Sequence, residues 1–559
     1  MKKIAKFLIV LGMMGQLSSC DYLDIVPDER AQESDTWKTE GAVRGYLYSC
    51  YGYLPANRTF GNSYWLAEEL TAVTKELFTT FKYGYYSPVS LGFTSNTWST
   101  IWNGIHQCYM FQESLKQVSN EYVTDEMKKQ YLAESNFLIA YYHFLSMRSY
   151  GPTMIIRSVI DLETPISGFP ERSSIDEVVA FINEKLDEAM SEGGLPTTWS
   201  GKDYGRATRL AALALKSRVY LYAASPLYNG NTEMYADFRS PLDGRQLIAQ
   251  EKSQAKWEIS ATQTKYAIDE VEKAKFHLYH DADAGEPSDA KPGLPNKAQR
   301  RLRYTNIDNQ TGNNPEIIWA DTRNDDYYGI QRRCPPRQTL GGKFAGISMT
   351  NCPTLQTIEA FYTKNGLPIN KDKTFDYDER YEYISAPENC DGNNYEDLVK
   401  YANFTPSSDK VMRLCTDREP RFYAWTTYHN GYFEFGKYNN EEISADPAKR
   451  AIRIHLLRDD PHGRGNRTDQ EYSISGFGNK KGVVPSAEWN VIEYPFPLFR
   501  LAELYLNYAE ALVELDRLSE AKVYLDKVRE RAGIPSVDEA WDKYSTNPGY
   551  QNTQEGMRE

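Results

Sequence analysis

The sequence predicts a mainly α fold, in which helical hairpins stack into an array and long irregular loops and short strands run between them. Three observations lead there. Apolar residues recur three and four apart over several long segments. Those segments come in neighbouring pairs. The stretches between them are dense in Gly, Pro, Asn, Asp and aromatic residues.

The clearest pair is Leu501 to Gly533. Leu501, Leu504, Tyr505, Tyr508, Ala509, Leu512 and Leu515 form one apolar face. Asp516-Arg517-Leu518 breaks the pattern, Ser519 is the expected cap of a second helix carrying Ala521, Tyr524, Leu525 and Val528, and Gly533 and Pro535 stop it. Two antiparallel helices with Ala at close crossings read as a tetratricopeptide-like hairpin. Met127 to Met147 pairs in the same way with Ile175 to Met190, which starts after Ser173 and Ser174. Ala207 to Ala224 pairs with Trp257 to Phe276. Residues 281–350 and 365–500 read as loops, short helices and short strands, with Ile317-Ile318-Trp319-Ala320 a candidate strand. Irregular segments on a rigid scaffold are where binding usually resides.

The N-terminus bears on the compartment. Lys2, Lys3 and Lys6 precede a mostly apolar run from Phe7 to Leu17, too short to span a bilayer of about 30 Å. Leu17-Ser18-Ser19-Cys20 follows: an apolar residue, two small ones that let a peptidase approach, and a thiol able to carry diacylglycerol. Residues 1–19 are therefore expected to be a signal peptide and Cys20 a lipid anchor, its several acyl chains holding the membrane better than one. Their removal takes three lysines and no acid, moving the net charge from −13 to −16. Such an acidic chain is a poor fit to nucleic acid or anionic lipid. Cys50, Cys108, Cys334, Cys352, Cys390 and Cys415 show no metal-ligand spacing, and both disulfides and free buried thiols are open to them.

Tyrosine is abundant: 42 residues, more than Phe and Trp together. A half-wet aromatic suits either a sugar-facing surface or a packed helix crossing. No His-Glu-x-x-His, no Gly-x-Ser-x-Gly and no phosphate loop is present. His277 and His280 stand three apart without a third ligand in view, so neither metal nor cofactor is expected. A glycosidase needs only two carboxylates, and 77 acids leave that reading open.

Several blocks, taken in order, resemble the SusD/RagB family of Bacteroidota outer-membrane nutrient-binding lipoproteins. They are Cys20-Asp21-Tyr22-Leu23-Asp24-Ile25-Val26-Pro27, Trp98 to Ile105, Phe137 to Pro152, Arg172 to Ile175, Ala207 to Tyr222, Ser225 to Gly230 and Arg500 to Pro535. The resemblance implies a SusD-like helical array of four tetratricopeptide-like units, a SusC-like TonB-dependent transporter as partner, and capture of glycan without cleavage. It implies an outer-membrane anchor facing outward, although Asp21 beside Cys20 would signal inner-membrane retention under enterobacterial sorting. One SusD-like domain is expected over residues 20–559, with array units at about 36–280 and 495–535 and a loop-rich binding region at about 281–495. Family members usually continue past Ala532-Gly533-Ile534-Pro535 into a further helical segment, so a truncated C-terminal end with exposed apolar surface on the last pair is expected.

Within this frame the expected glycan contacts are Tyr85, Tyr86, Asn96 and Trp98 in one stretch and Arg323, Asp326, Tyr327 and Tyr328 in another. Aromatic rings supply stacking area, and Asn, Asp and Arg fix hydroxyls. Trp98 heads this set, with a core Trp at a helix start as the competing reading. A surface glycoside hydrolase and a peptide-binding import lipoprotein are the alternative functions.

Overall fold

The computed structural model describes residues 37–56, 69–71, 94–161, 163–285, 297–308, 312, 314–323, 329–336, 349–385, 410–434, 451–460, 462–465, 472–484 and 492–559. Its longer helices are α1 (Glu40–Tyr51), α2 (Thr94–Leu115), α3 (Asp125–Tyr150), α4 (Ile175–Ala189), α5 (Arg209–Ala224), α6 (Gln254–Lys273), α7 (Lys297–Ile307), α8 (Leu501–Glu514), α9 (Leu518–Ala532) and α10 (Val537–Tyr544). From α1 to α5 each helix packs on the next, α6 packs in turn on α8, and α8 packs on α9. Four hairpins result, as expected: α1–α2, α3–α4, α5–α6 and α8–α9. The long irregular region is inserted before the last of them.

Helix α3 is the centre of the array. Residues Ala133 to Met147 are all buried, so over these roughly four turns the helix has no solvent face. Thr124 caps it, its hydroxyl accepting the Met127 N–H at 3.3 Å. Its buried polar groups find partners among neighbouring elements. Gln112 of α2 donates to Asn136 Oδ1 at 2.8 Å, and Ser146 meets Thr153 at 2.7 Å. His143 is fully buried, with Nδ1 2.8 Å from the Ile139 carbonyl and Nε2 accepting from the Ile156 N–H. That pattern assigns the proton of the neutral ring to Nδ1. Burial drives its pKa down to about 4.

The strongest cross-link starts on the same helix. Glu134, wholly buried, meets Arg206 through two contacts, Nη2–Oε1 at 2.5 Å and Nε–Oε2 at 3.2 Å. Tyr51 at the end of α1 donates to Glu134 Oε2 at 2.6 Å and accepts the Ala207 N–H at 2.9 Å. One ionic centre thus joins α1, α3 and the entry to α5. The hairpins α5–α6 and α8–α9 share a polar tie, with Ser217 meeting Thr264 at 2.8 Å and accepting from Asn507 at 3.1 Å.

The candidate strand forms. Strand β1 (Ile317–Asp321) pairs antiparallel with β2 (Phe496–Arg500), with Phe496 opposite Asp321 and Phe499 opposite Trp319. Trp319 is buried between Phe137, Tyr141 and Phe499, and its indole N–H donates to the Gly205 carbonyl at 2.9 Å. Strand β2 leads straight into α8, whose Leu501 N–H bonds the Glu316 carbonyl at 3.0 Å. The insertion has its own small cores, one of them around Ile358, Leu414, Phe422 and Tyr428.

Helix boundaries follow the expected ones to within three residues, with one correction at a cap. Ser174 caps α4 through a reciprocal box with Glu177, as its sequence predicts. Ser519 does not cap α9; the helix already begins at Leu518, and Arg517 at its N-cap makes no side-chain capping bond. The Asp516 backbone, at φ +59°, turns the chain just before Arg517, so the cap falls two residues earlier than the sequence pattern suggests. Cys50, Cys108, Cys334, Cys352 and Cys415 are free, buried thiols. Cys20 and Cys390 lie outside the described residues. On the last pair, Val523 is 56% exposed, while Leu525 packs against a cluster holding Val537 and Trp541 of α10. The Gln554–Arg558 turn rests on α8, with Gln554 donating to the Val513 carbonyl at 2.8 Å and Arg558 bridging Glu514.

Two outcomes are expected of these buried groups. Replacing Glu134 by Gln leaves Arg206 short of its main counter-charge and should cost about 3 kcal/mol in urea unfolding; the apolar pair Glu134→Leu with Arg206→Met should recover much of that loss. His143 remains neutral in the fold down to about pH 4, whereas the unfolded ring takes up a proton below about pH 6.5. Its contribution is therefore complete above pH 6.5 and lost as the pH falls toward 4, by about 3 kcal/mol in total. Unfolding free energies of His143→Gln should fall less steeply across that window than those of the parent, and equal slopes would rule this role out.

Candidate functional site

Arg323 follows β1 directly, so the buried strand fixes where its side chain begins. Its guanidinium grips Asp321 through Nε–Oδ1 at 2.9 Å and Nη2–Oδ2 at 2.6 Å. The same group donates to the carbonyls of Leu54 and Pro55, each at 2.8 Å. Burial works against the cation, but Asp321 outweighs it and holds the pKa above the usual arginine value. Arg323 is thus a clamp between β1 and the turn after α1, and about a third of its side chain stays exposed.

Beside it opens a groove of about 270 Å³ whose walls include Tyr48, Tyr51, Lys202, Tyr204, Thr322 and Arg323. A second cavity of about 350 Å³ adjoins it through Tyr204, Gly205, Arg206 and Ala320, and adds Trp199, Lys275 and Phe276. The backbone at Gly205 (φ +99°) runs so close to β1 that a Cβ would stand 2.8 Å from the Thr322 methyl. Only glycine lets the 201–206 loop approach in this way. Arg206 forms the floor, its guanidinium lying 4.1 Å from the Trp199 ring centre. Tyr48 is 41% exposed at the rim. Burial pushes the Tyr204 phenol up to about 12, so it remains a neutral hydroxyl at ordinary pH.

Trp98 sits in the second turn of α2 and is half-buried. Its ring meets Tyr150 edge-on at 4.8 Å and Trp102 at 5.3 Å. It is neither a fully enclosed core residue nor an isolated platform. Further along α2, Gly104 admits Tyr53, whose Cβ would lie 3.0 Å from an added methyl. Tyr53 immediately precedes the Leu54–Pro55 turn held by Arg323. Trp98 and Gly104 are separated by about 9 Å of helix, at 1.5 Å per residue. Trp98 lines neither the groove nor the cavity beside it, so these residues do not bring it together with Arg323 there. Asn96 lies in the first turn of α2, its side chain outside the described set; Tyr85, Tyr86, Asp326, Tyr327 and Tyr328 lie outside it altogether.

Sequence reasoning missed Tyr48, Trp199, Lys202 and Tyr204. A signal existed for Trp199: an aromatic residue in the Pro196-Thr197-Thr198-Trp199-Ser200-Gly201 loop between two expected helices. For Tyr48 there was none, because its place at the groove depends on contacts between distant segments. Among the described residues, three carboxylates around the groove are occupied. Glu134 and Asp203 pair with Arg206, and Asp321 pairs with Arg323. Burial pushes the Glu134 carboxyl upward, against the pull of Arg206 and Tyr51. Among the described residues, no helix is long and apolar enough to cross a membrane.

Comparison with known proteins agrees with this architecture. The model of the SusD family matches residues 315–559, and one described as "Starch-binding associating with outer membrane" matches residues 21–221. No curated protein matches. The solved structure of BT4246 superposes with a TM-score of 0.74 at 28% identity, covering 93% of this chain and 86% of that one. A SusD-like protein from Bacteroides fragilis gives 0.64 at 19% identity over 95% and 85%. A SusD-like carbohydrate binding protein from the same species gives 0.58 at 17% over 94% and 83%. With four stacked hairpins and both halves matched by models of this kind, the chain belongs to the SusD/RagB family.

Proposed function

We propose that the protein captures an oligo- or polysaccharide at the cell surface and passes it intact to a SusC-like TonB-dependent transporter in the outer membrane. The observation that carries this reading is the groove at Arg206 and Arg323. The walls of this groove and of the cavity beside it combine aromatic rings (Tyr48, Trp199, Tyr204) with polar groups (Lys202, Thr322, Arg323). A sugar ring presents an apolar face and a polar edge, and this lining answers both. The second family match, named for starch binding and outer-membrane association, supports the same class of ligand and compartment. Anchorage through Cys20 and an outward orientation complete the proposal.

Binding without cleavage is part of it. A glycosidase needs one carboxyl free to give a proton and a second free to attack or to activate water. At this groove Glu134, Asp203 and Asp321 are each held by an arginine. A ligand would meet stacked rings and cations there rather than a poised acid and base. Trp98 on α2 and Tyr85, Tyr86, Asn96, Asp326, Tyr327 and Tyr328 are proposed as further contacts beyond the groove's own lining.

Calorimetric titration of the mature protein with a panel of soluble glycans tests the site. Replacing Trp98, Tyr85 and Tyr327 together by Ala should weaken binding at least about tenfold, the equivalent of 1.4 kcal/mol. Unchanged affinity rejects these residues, and release of reducing sugar from the panel rejects the non-catalytic reading. In cells, Cys20→Ala should move the protein from the outer-membrane fraction to the soluble one; retention in the membrane would remove the anchor.

A further inference from the structure

His277 and His280 lacked a third ligand in the sequence reading, and the structure supplies one. Asp283 lies on the short helical turn Asp281–Ala284 with one carboxylate oxygen toward each ring. His277 Nε2 stands 3.4 Å from Oδ1, and His280 Nδ1 stands 3.3 Å from Oδ2. The two imidazoles have their centres 4.7 Å apart. We propose that His277, His280 and Asp283 form a binding site for a divalent transition-metal ion of the Zn²⁺ class.

The distances favour a shared ion over simple pairing. A charge-assisted N–H···O⁻ bond settles at about 2.7–2.9 Å. Ligands about 2.1 Å from a tetrahedral zinc are instead separated by about 3.4 Å, close to what both His–Asp pairs show. His277 Nδ1 faces the Lys275 carbonyl at 3.3 Å and Nε2 faces Asp283, so an ion bound at Nε2 would leave the Nδ1 proton to that carbonyl. An imidazole whose other nitrogen donates to a backbone carbonyl is also the usual setting of a metal-bound histidine.

The ligands are held in place beforehand. Asp283 Oδ2 accepts the His280 N–H at 2.7 Å. The His277 N–H bonds the Pro315 carbonyl at 3.1 Å, and Tyr279 between the two histidines is tied to Glu316 and Asp308. Both histidine side chains are about half exposed, so water completes the coordination and the ion enters from solvent. Phe276, beside His277, lines the larger cavity, so an ion here stiffens that wall.

A second grouping, His429, His455 and Asp460, fits less well. The His429 nitrogen nearest Asp460 already accepts the Leu456 N–H at 3.0 Å, and the imidazole centres of His429 and His455 are 6.0 Å apart. It serves as the control. Chelator-treated, tag-free protein would be titrated with ZnCl₂ by calorimetry and with Co²⁺ by visible absorption. The parent should take up zinc, with the intense absorption of tetrahedral cobalt. His280→Ala and Asp283→Ala should each lose one equivalent, or bind it at least about tenfold more weakly, while His429→Gln keeps it. Circular dichroism without metal should be unchanged in all three variants. Parental stoichiometry and affinity in His280→Ala and Asp283→Ala, or no uptake by the parent, would overturn the proposal.

Discussion

The ion pair between Glu134 and Arg206 is the constraint on which most of this structure turns. Glu134 has no solvent contact, and a carboxylate taken from water carries a desolvation cost of several kcal/mol that only well-placed donors offset. Arg206 and Tyr51 supply those donors from two other parts of the chain. Their directions cannot be satisfied unless α1, α3 and the approach to α5 meet in one relative position. Apolar packing alone tolerates some sliding between helices; a buried charge with three directed partners tolerates much less. The pair therefore acts mainly on register, and it does so where the array meets the groove.

The tyrosines show the same principle spread over the molecule. Tyr142 donates to the Cys50 carbonyl, joining α3 to α1, and Tyr109 reaches the Ile156 carbonyl beyond α3. Tyr228 ties the segment after α5 to the Met147 carbonyl, and Tyr508 links α8 to Glu520 of α9. Each ring fills a helix crossing, and each hydroxyl then fixes how the crossing is turned. Much of the tyrosine excess is used in this way. At the groove, Tyr48 and Tyr204 are the described tyrosines that leave ring surface for a ligand.

This explains what was legible in the sequence. The helices of α3, α4, α5, α6 and the α8–α9 pair could be read because periodic apolar faces and local caps such as Ser174 are encoded within a few residues. Strand β1 was legible as a short apolar run. Helix α1 was harder: Val43, Leu47 and Cys50 make a narrow buried stripe, and Gly41 and Gly45 lower its helical propensity. Ser519 looked like a cap by residue type, but the turn at Asp516 started α9 earlier. Arg323 was expected as a glycan contact from its aromatic, polar neighbourhood, yet its grip on Leu54 and Pro55 joins residues some 270 positions apart. No local pattern encodes such a contact, and the same holds for Tyr48 and the Glu134–Arg206 pair.

A site assembled in this way has a particular chemical character. In the proposed site Arg206 and Arg323 are already neutralised by protein carboxylates, so little of either is left to order when a ligand arrives. For the proposed glycan ligand, which loses conformational entropy on binding, such preorganised cations are an advantage. The carboxylates that hold Arg206 and Arg323 are, for the same reason, engaged as counter-ions. Freeing one to act on a glycosidic bond would release the arginine it restrains and loosen either the Leu54–Pro55 turn or the floor beneath Trp199. Rigidity of the groove and availability of the acids that hold these arginines are thus opposed, and this opposition is the physical basis of the proposed non-catalytic role.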